Sequence, residues 1–146
     1  FSMGVWSPAT MRNAAIYLAR DGAGRMQGFV TVHANRREHT LDLMRQGEDA
    51  VDGLLHLLVT HAIKGAAVAG VPRFSLAAVP TGDIAGEPAL FTRLRALLDH
   101  ATGAAGLRQF KSAFAPDWET LYLAAPTRTA LALGALDITR EILRDA

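Results

Sequence analysis

The sequence predicts an α+β fold in which a mixed sheet is flanked by helices. Three short runs rich in β-forming residues, at 14–20, 27–33 and 40–45, come before any long helical pattern. From residue 50 the apolar residues recur instead at i, i+3, i+4 and i+7, which is the spacing of one helical face. Another apolar run, at 73–79, follows that helix. A strand, a helix and a second strand in this order imply a parallel pairing.

The first three strands are predicted to form an antiparallel meander because short polar segments separate them. The segment 21–24 contains two glycines, which can take the positive φ that a tight turn requires. The long helix is predicted to begin at Ala50 and to end near Gly70, with Pro72 just beyond it. At this length it would run for about five turns.

The second half of the chain is predicted to add helices and one more strand. Leucines repeat at helical spacing over residues 89–100, and a shorter helix is expected over 107–114. Residues 118–124 indicate a strand. A final helix is predicted over 127–145, with Thr127 or Thr129 as its candidate cap. Residues 1–146 are expected to form a single domain.

The composition describes a globular domain with no overall bias toward polyanions. Hydrophobic residues make up 50% of the chain, and 15 lysines and arginines against 14 acidic residues leave a net charge of +1. A dedicated nucleic-acid binder would carry a larger basic field, so any polyanion must be bound locally. The absence of cysteine excludes disulfides and thiolate catalysis, and the five histidines show no metal-ligand spacing. No stretch reaches the roughly 20 apolar residues that cross a bilayer.

Three strings in a fixed order resemble one known family. They are FSMG at 1–4, LDLMR at 41–45 and GLRQFK at 106–111, and the last is followed by Phe114, Pro116, Trp118, Tyr122 and Leu123. They are similar to Phe-Ser-Leu-Gly, Val-Asp-Leu-Met-Arg and Gly-Leu-Arg-x-Phe-Lys in the carboxy-terminal domain of the aminoacyl-phosphatidylglycerol synthases. That family is also known as the lysylphosphatidylglycerol synthases or multiple peptide resistance factors. The resemblance covers nearly the whole chain.

The resemblance implies a GNAT-like (acyl-CoA N-acyltransferase-type) sheet that forms one lobe of a tandem pair, here as the carboxy-terminal fragment of a longer protein. It implies an enzyme that transfers an amino acid from aminoacyl-tRNA to the glycerol hydroxyl of phosphatidylglycerol, with lysine favoured and alanine as the alternative. No cofactor is expected besides the tRNA co-substrate. The expected partners are the missing amino-terminal lobe and the cytoplasmic face of the inner membrane, where the family gives resistance to antimicrobial peptides.

Two other functions stay open. One is a non-catalytic GNAT-like lobe that binds substrate or membrane, and the other is a divergent CoA-dependent N-acetyltransferase. Coenzyme A would need amide groups at a helix start to bind its pyrophosphate. The segment 45–53 instead contains Glu48, Asp49 and Asp52, whose carboxylates would repel that group.

Asp42 and Arg45 are the candidate catalytic residues that the resemblance implies. Transfer of an aminoacyl ester needs an activated hydroxyl and a neutralised phosphate. Asp42 would hold the ammonium of the amino acid or accept the hydroxyl proton, and Arg45 would clamp the lipid phosphate. Residues three apart in a regular strand point to opposite faces, so the two converge only if the strand ends or bulges between them. Otherwise they are two unrelated surface charges.

Arg108 and Lys111 are the candidate substrate-binding residues. They lie three apart in a predicted helix, hence on one face, where they would grip tRNA or lipid phosphates. The alternative is a solvated helix face. We expect these cations to meet Asp42 and Arg45 in one pocket at a splayed sheet.

Some positions carry narrower expectations. Trp118 and Phe114 are expected in the core rather than stacked on the adenosine end of a tRNA. The family has glycine where Ala77 stands and often has a second lysine where Ala113 stands. The glycine would let the backbone approach a substrate closely, and the lysine would add a phosphate contact.

Overall fold

A computed structural model describes residues 8–79, 104–122 and 124–144 of the chain. The chain divides into two compact units, Phe1–Pro80 and Thr81–Ala146. The first unit holds the sheet and the long helix, and the second holds two further helices among its described residues. Each unit is described by itself below.

The first unit begins with a short helix and a three-stranded meander. Helix α1 spans Pro8–Met11, and strands β1 (Ala14–Arg20), β2 (Met26–Ala34) and β3 (His39–Gln46) follow. Neighbouring strands pair antiparallel, in the order in which they occur along the chain. The predicted meander is confirmed, because strong alternation and polar turns mark the strands in the sequence.

Helix α2 spans Leu54–Val68 and is followed by a very short strand, β4, at Phe74–Ser75. The predicted start at Ala50 is wrong, because Gly53 takes the left-handed φ of 81° and only then does the helix begin. Strand β4 pairs with β3 in parallel, as predicted. It ends before residue 79 because Ala77 has a φ of 61°, which breaks the extended backbone.

One face of the sheet packs on α2. The core on this side consists of small and branched apolar side chains, Val30, Val32, Leu41, Leu54, Leu58, Val59, Ala62 and Ala66. A Cβ atom added at Gly28 would lie 2.9 Å from Leu54 Cδ2 and 2.9 Å from the carbonyl oxygen of Arg45. The absence of a side chain at Gly28 therefore lets the helix approach the sheet closely.

The described part of the second unit consists of helices α3 (Ala104–Ser112) and α4 (Arg128–Arg144), and the described residues between them are irregular. The hydroxyl of Thr127 accepts a hydrogen bond from the amide of Ala130 at 3.1 Å, which confirms Thr127 as a cap. The strand predicted over 118–124 is wrong, because the described residues of that stretch are irregular. Leu121 and Tyr122 are 76% and 87% exposed. The helix predicted over 89–100 lies outside the described residues.

Candidate functional site

The face of the sheet opposite α2 carries the candidate catalytic residues. Residues paired across antiparallel strands share a face of the sheet. Gly28, Val30 and Val32 of β2 face α2, so the alternate residues Phe29 and Thr31 face the other way. We call this second face, which carries Phe29, Thr31 and His33, the site face. Its β1 neighbours are Leu18, opposite Phe29, and Ile16, opposite Thr31.

A bulge in β3 brings Asp42 and Arg45 to this same face. Val30 pairs with Met44 while Val32 pairs with Leu41, so two residues of β3, Asp42 and Leu43, lie opposite Thr31. The extra residue interrupts the alternation of side chains. Asp42 therefore lies beside Thr31 on the site face, and Arg45 lies on that face as well because it pairs with Phe29. Without such a bulge, side chains three residues apart on a strand would point to opposite faces.

The Asp42 carboxylate is held by two neighbours on β2. Its Oδ2 atom accepts a hydrogen bond from the Thr31 hydroxyl at 3.2 Å and lies 3.3 Å from His33 Nε2. The Thr31 hydroxyl in turn accepts a hydrogen bond from the amide of Leu43 at 2.9 Å. Thr31 is fully buried, so its donor and its acceptor are both committed to the bulge. The orientation of Asp42 is thus fixed by the backbone irregularity itself.

Exposure differs along this row of side chains. The Asp42 side chain is 24% exposed and that of His33 is 52% exposed. Arg45 is exposed, and its Nη1 atom donates to the carbonyl of Met44 at 2.9 Å. That bond uses one of five donor groups of the guanidinium. Among the described residues no ion pair joins Arg45 to Asp42, so each charge can still meet a substrate group.

Arg108 lies on α3, in the second unit. Its side chain is exposed, and its guanidinium carbon lies 5.4 Å from the centre of the Trp118 ring, within the range of a cation–π contact. The expectation that Trp118 is in the core is wrong, because half of this residue is exposed. Phe114 is partly buried and packs edge-on against Phe110, with 5.5 Å between ring centres. Arg108 and Trp118 thus form an exposed cationic and aromatic surface.

Lys111 differs from its neighbour Arg108. It is only 4% exposed, and burial lowers the pKa of its ammonium from 10.5 to about 8. A solvated helix face, the alternative considered for this pair, is therefore excluded for Lys111. The candidate residues are divided between the units, with Asp42 and Arg45 in the first and Arg108 and Lys111 in the second. Their convergence in one pocket stays a prediction.

Sequence reasoning missed Thr31 and His33. Both lie in the β2 run FVTVH, where polar side chains alternate with valines on a strand that is otherwise apolar. That alternation placed them on one face, but the family strings did not include them. The histidines had been considered only as metal ligands. Among the residues that the structure describes, no group of three or more metal-ligating side chains occurs.

The segment before α2 bears on whether coenzyme A could bind. Glu48, Asp49 and Asp52 are exposed in the segment between β3 and α2, just before the start of the helix. Acidic side chains thus lie where a pyrophosphate would need amide donors.

None of the helices in the described part of the chain has the length and apolar content needed to span a membrane.

Comparison with known proteins agrees with this picture. The chain is 26% identical over 150 residues to a phosphatidylglycerol lysyltransferase from Bacillus subtilis, and this match takes in 97% of the chain but 18% of that relative. The chain thus spans less than a fifth of the length of this relative.

Two solved structures are also similar. The structure of L-PGS from Bacillus licheniformis matches with a TM-score of 0.73 and 24% identity, over 99% of this chain and 46% of that one. The carboxy-terminal domain of a candidate lysylphosphatidylglycerol synthetase from Agrobacterium fabrum matches with a TM-score of 0.74 and 27% identity, over 93% of this chain and 41% of that one. These likenesses confirm the predicted α+β, GNAT-like fold.

A family model that matches most of the chain shows which family it belongs to. The profile described as the carboxy-terminal region of phosphatidylglycerol lysyltransferase matches residues 1–125, which include the strands, α2, α3 and all four candidate residues. The chain therefore belongs to the family of phosphatidylglycerol lysyltransferase carboxy-terminal domains.

Proposed function

We propose that this domain takes part in the transfer of an amino acid, with lysine favoured, from aminoacyl-tRNA to the glycerol hydroxyl of phosphatidylglycerol. The observation that carries the proposal is the β3 bulge, which puts Asp42 and Arg45 on one face of the sheet. Membership of the lysyltransferase family supports the reaction class. The acceptor carries a phosphate and a hydroxyl, and the site face offers a cation and a carboxylate for these two groups.

The two candidate catalytic residues have different tasks in this proposal. Arg45 binds the lipid phosphate through guanidinium donors that no protein carboxylate occupies among the described residues. Asp42 acts on the hydroxyl or on the ammonium of the amino acid, and its Oδ2 atom is already fixed by Thr31. Fixing both groups before the substrates arrive reduces the reorganisation that the reaction requires.

The second unit is proposed to bind the tRNA. Arg108 and Trp118 offer an exposed cation and an exposed ring, which suit a phosphate and a base of a single-stranded end. Lys111 is mostly protonated at pH 7, since its pKa is about 8, and its charge adds to that of Arg108 on the same helix. The proposed donor is a tRNA ester rather than coenzyme A because Glu48, Asp49 and Asp52 precede α2.

We further propose that the chain works as one lobe of a longer enzyme at the cytoplasmic face of the membrane. The match to less than a fifth of the Bacillus subtilis relative supports this arrangement. The other lobe would supply the remaining surfaces for the lipid and the tRNA. In this arrangement the chain alone can bind substrates without completing the transfer.

The test is a transfer assay with defined substrates. The chain, and any longer protein that carries it, are incubated with lysyl-tRNA or alanyl-tRNA and vesicles that contain phosphatidylglycerol. We expect an aminoacylated lipid from the longer protein, and we expect Asp42→Ala and Arg45→Ala in that protein to reduce its formation by at least about 100-fold. The matched controls are Asp52→Ala and Arg37→Ala, which remove exposed charges elsewhere in the first unit.

The outcomes separate the candidate functions. No lipid product from the longer protein, together with retained binding of vesicles, would favour a non-catalytic binding lobe. Tight binding of coenzyme A, with acetyl transfer to an amine, would favour the acetyltransferase. Product that forms equally well from the two alanine variants would contradict the roles given to Asp42 and Arg45.

A further inference from the structure

We infer that His33 and Asp42 form a catalytic dyad in which the His33 ring takes the proton of the acceptor hydroxyl. The inference rests on the proposed function and deepens it, since it assigns the base of that reaction. His33 Nε2 lies 3.3 Å from Asp42 Oδ2, and the two side chains project from neighbouring strands onto the site face. Asp42 is a positioning residue in this arrangement, whereas His33 contacts the substrate.

The dyad assigns one tautomer to the ring. We place the proton of the neutral ring on Nε2, the atom 3.3 Å from Asp42 Oδ2, because an ionised carboxylate can only accept hydrogen bonds. The lone pair of the neutral ring then resides on Nδ1. The ring is accessible, since 52% of the His33 side chain is exposed. The dyad therefore presents a basic nitrogen away from the carboxylate that orients it.

Asp42 is less suited than His33 to take the proton itself. Its Oδ2 atom already faces two donors, the Thr31 hydroxyl at 3.2 Å and the His33 ring at 3.3 Å. A carboxylate held in this way is suited to stabilising an imidazolium that forms beside it, as in other acid–base pairs of this kind. The bulge thus positions the carboxylate, and the carboxylate positions the ring.

The apolar surroundings of the dyad suit a lipid acceptor. Ile16 and Leu18 lie on the same face, on β1, and are 49% and 46% exposed. Arg45 lies on this face as well, opposite Phe29. An acceptor with an alkyl part, a phosphate and a hydroxyl would match an apolar strip, a guanidinium and a base. A free sugar phosphate would leave the apolar strip in contact with water.

The proposed step is balanced in atoms and charge. Nδ1 of His33 takes the proton of the acceptor hydroxyl as its oxygen bonds to the carbonyl carbon of the aminoacyl ester. The tetrahedral intermediate then collapses, and the bond between that carbon and the ribose oxygen breaks. The ribose oxygen recovers the proton from Nδ1. The products are a new ester and a free ribose hydroxyl, and Asp42 stays ionised throughout.

The test combines activity with a direct reading of the ring. In the transfer assay, His33→Ala is expected to lower the rate by about 100-fold to 10,000-fold, and added imidazole is expected to restore part of it. His61→Ala is the matched control, because His61 is exposed on α2. Independently of activity, nitrogen NMR of the neutral ring in the chain itself is expected to show the proton of His33 on Nε2.

The outcomes separate this inference from the proposed function. If a longer protein that carries the unaltered chain makes no lipid product, the proposed function fails, and the NMR measurement still tests the dyad. If the protein is active but His33→Ala keeps its rate, or loses it without any rescue by imidazole, the role of His33 as base is overturned. A proton found on Nδ1 would overturn the dyad. Unchanged thermal unfolding of the variant would show that a loss of rate is not a loss of fold.

Discussion

Strand β3 and helix α3 present their charged residues in different ways. On β3, Asp42 and Arg45 are three residues apart and share a face only because a bulge lies between them. On α3, Arg108 and Lys111 are also three residues apart, yet Arg108 is exposed over Trp118 while Lys111 is 4% exposed. In both cases the spacing along the chain does not determine whether the two side chains are exposed on the same surface. On β3 the pairing with β2 determines which way the side chains point. On α3 the packing of the helix determines which side chains are exposed.

Among the residues that support the site without contacting a substrate, the largest effect is expected from Thr31, which holds Asp42 on the bulged strand. Thr31→Val keeps the shape but removes the hydroxyl that donates to Asp42 and accepts from the amide of Leu43. We expect transfer to fall by about 10-fold to 100-fold and the free energy of unfolding to fall by about 1–3 kcal/mol, since a buried amide loses its partner. Thr31→Ser, which keeps the hydroxyl, is the control. Equal rates for the two variants would show that the bulge does not position Asp42.

The contact between α2 and the sheet provides the next test. Gly28→Ala places a Cβ atom 2.9 Å from the carbonyl oxygen of Arg45, so β3 or the helix must shift. We expect a loss of about 1–3 kcal/mol in the free energy of unfolding, measured by denaturant titration. Gly22→Ala is the control, because nothing lies within 4 Å of a Cβ atom there. If Gly28→Ala were as stable as this control, the close approach of α2 would be wrong.

The helix side is tested by the pH dependence of stability. Burial lowers the pKa of Lys111 to about 8, so the folded state binds this proton less tightly than the unfolded state does. Burial of the charged ammonium therefore reduces the free energy of unfolding. This reduction is fully present below pH 8 and disappears as the pH rises toward 10.5. Between pH 7 and 9.5 the free energy of unfolding of the protein should rise by on the order of 1–2 kcal/mol relative to that of Lys111→Met.

The control for this measurement is Lys64→Met, because Lys64 is exposed on α2. That substitution is expected to leave the pH dependence of the free energy of unfolding unchanged. If the protein and Lys111→Met showed parallel pH dependence, Lys111 would not be buried as described. Arg108 and Lys111 would then share one environment, and the contrast between the helix and the strand would disappear.

The smallest effect is expected at Ala77, where the family has glycine. The φ of 61° at this residue is unfavourable for a side chain but costs glycine little. Ala77→Gly is therefore expected to raise the free energy of unfolding slightly, by less than about 1 kcal/mol, because the relief exceeds the entropy that glycine loses. Ala78→Gly, at a neighbouring position without positive φ, should lower it. A loss of stability in both variants would contradict the strain assigned to Ala77.

The meander could be predicted from the sequence because each strand carries its own local signal. Strand β1 was predicted with the bounds that the structure shows, Ala14–Arg20. The start of α2 was missed because the backbone conformation of Gly53 is not visible in an apolar periodicity. The strand predicted over 118–124 is wrong although the stretch contains β-forming residues, because Leu121 and Tyr122 are exposed in an irregular segment.

The candidate site was less predictable than the fold. The family strings supplied Asp42 and Arg45 but could not say that they share a face, since a bulge depends on the count of residues in two paired strands. Thr31 and His33 were visible as alternating polar residues, but only the register brings them to Asp42. The burial of Lys111 likewise depends on packing that helical spacing does not encode.

The central claim, that Asp42 and Arg45 serve the same transfer step, is tested most directly by a double-mutant cycle. Transfer rates are measured for the unaltered protein, Asp42→Asn, Arg45→Gln and the double variant. If the two residues act as one unit, the double variant should be about as slow as the slower single variant. Losses that multiply, as independent sites would give, or an Asp42→Asn variant that transfers at the unaltered rate, would contradict the account.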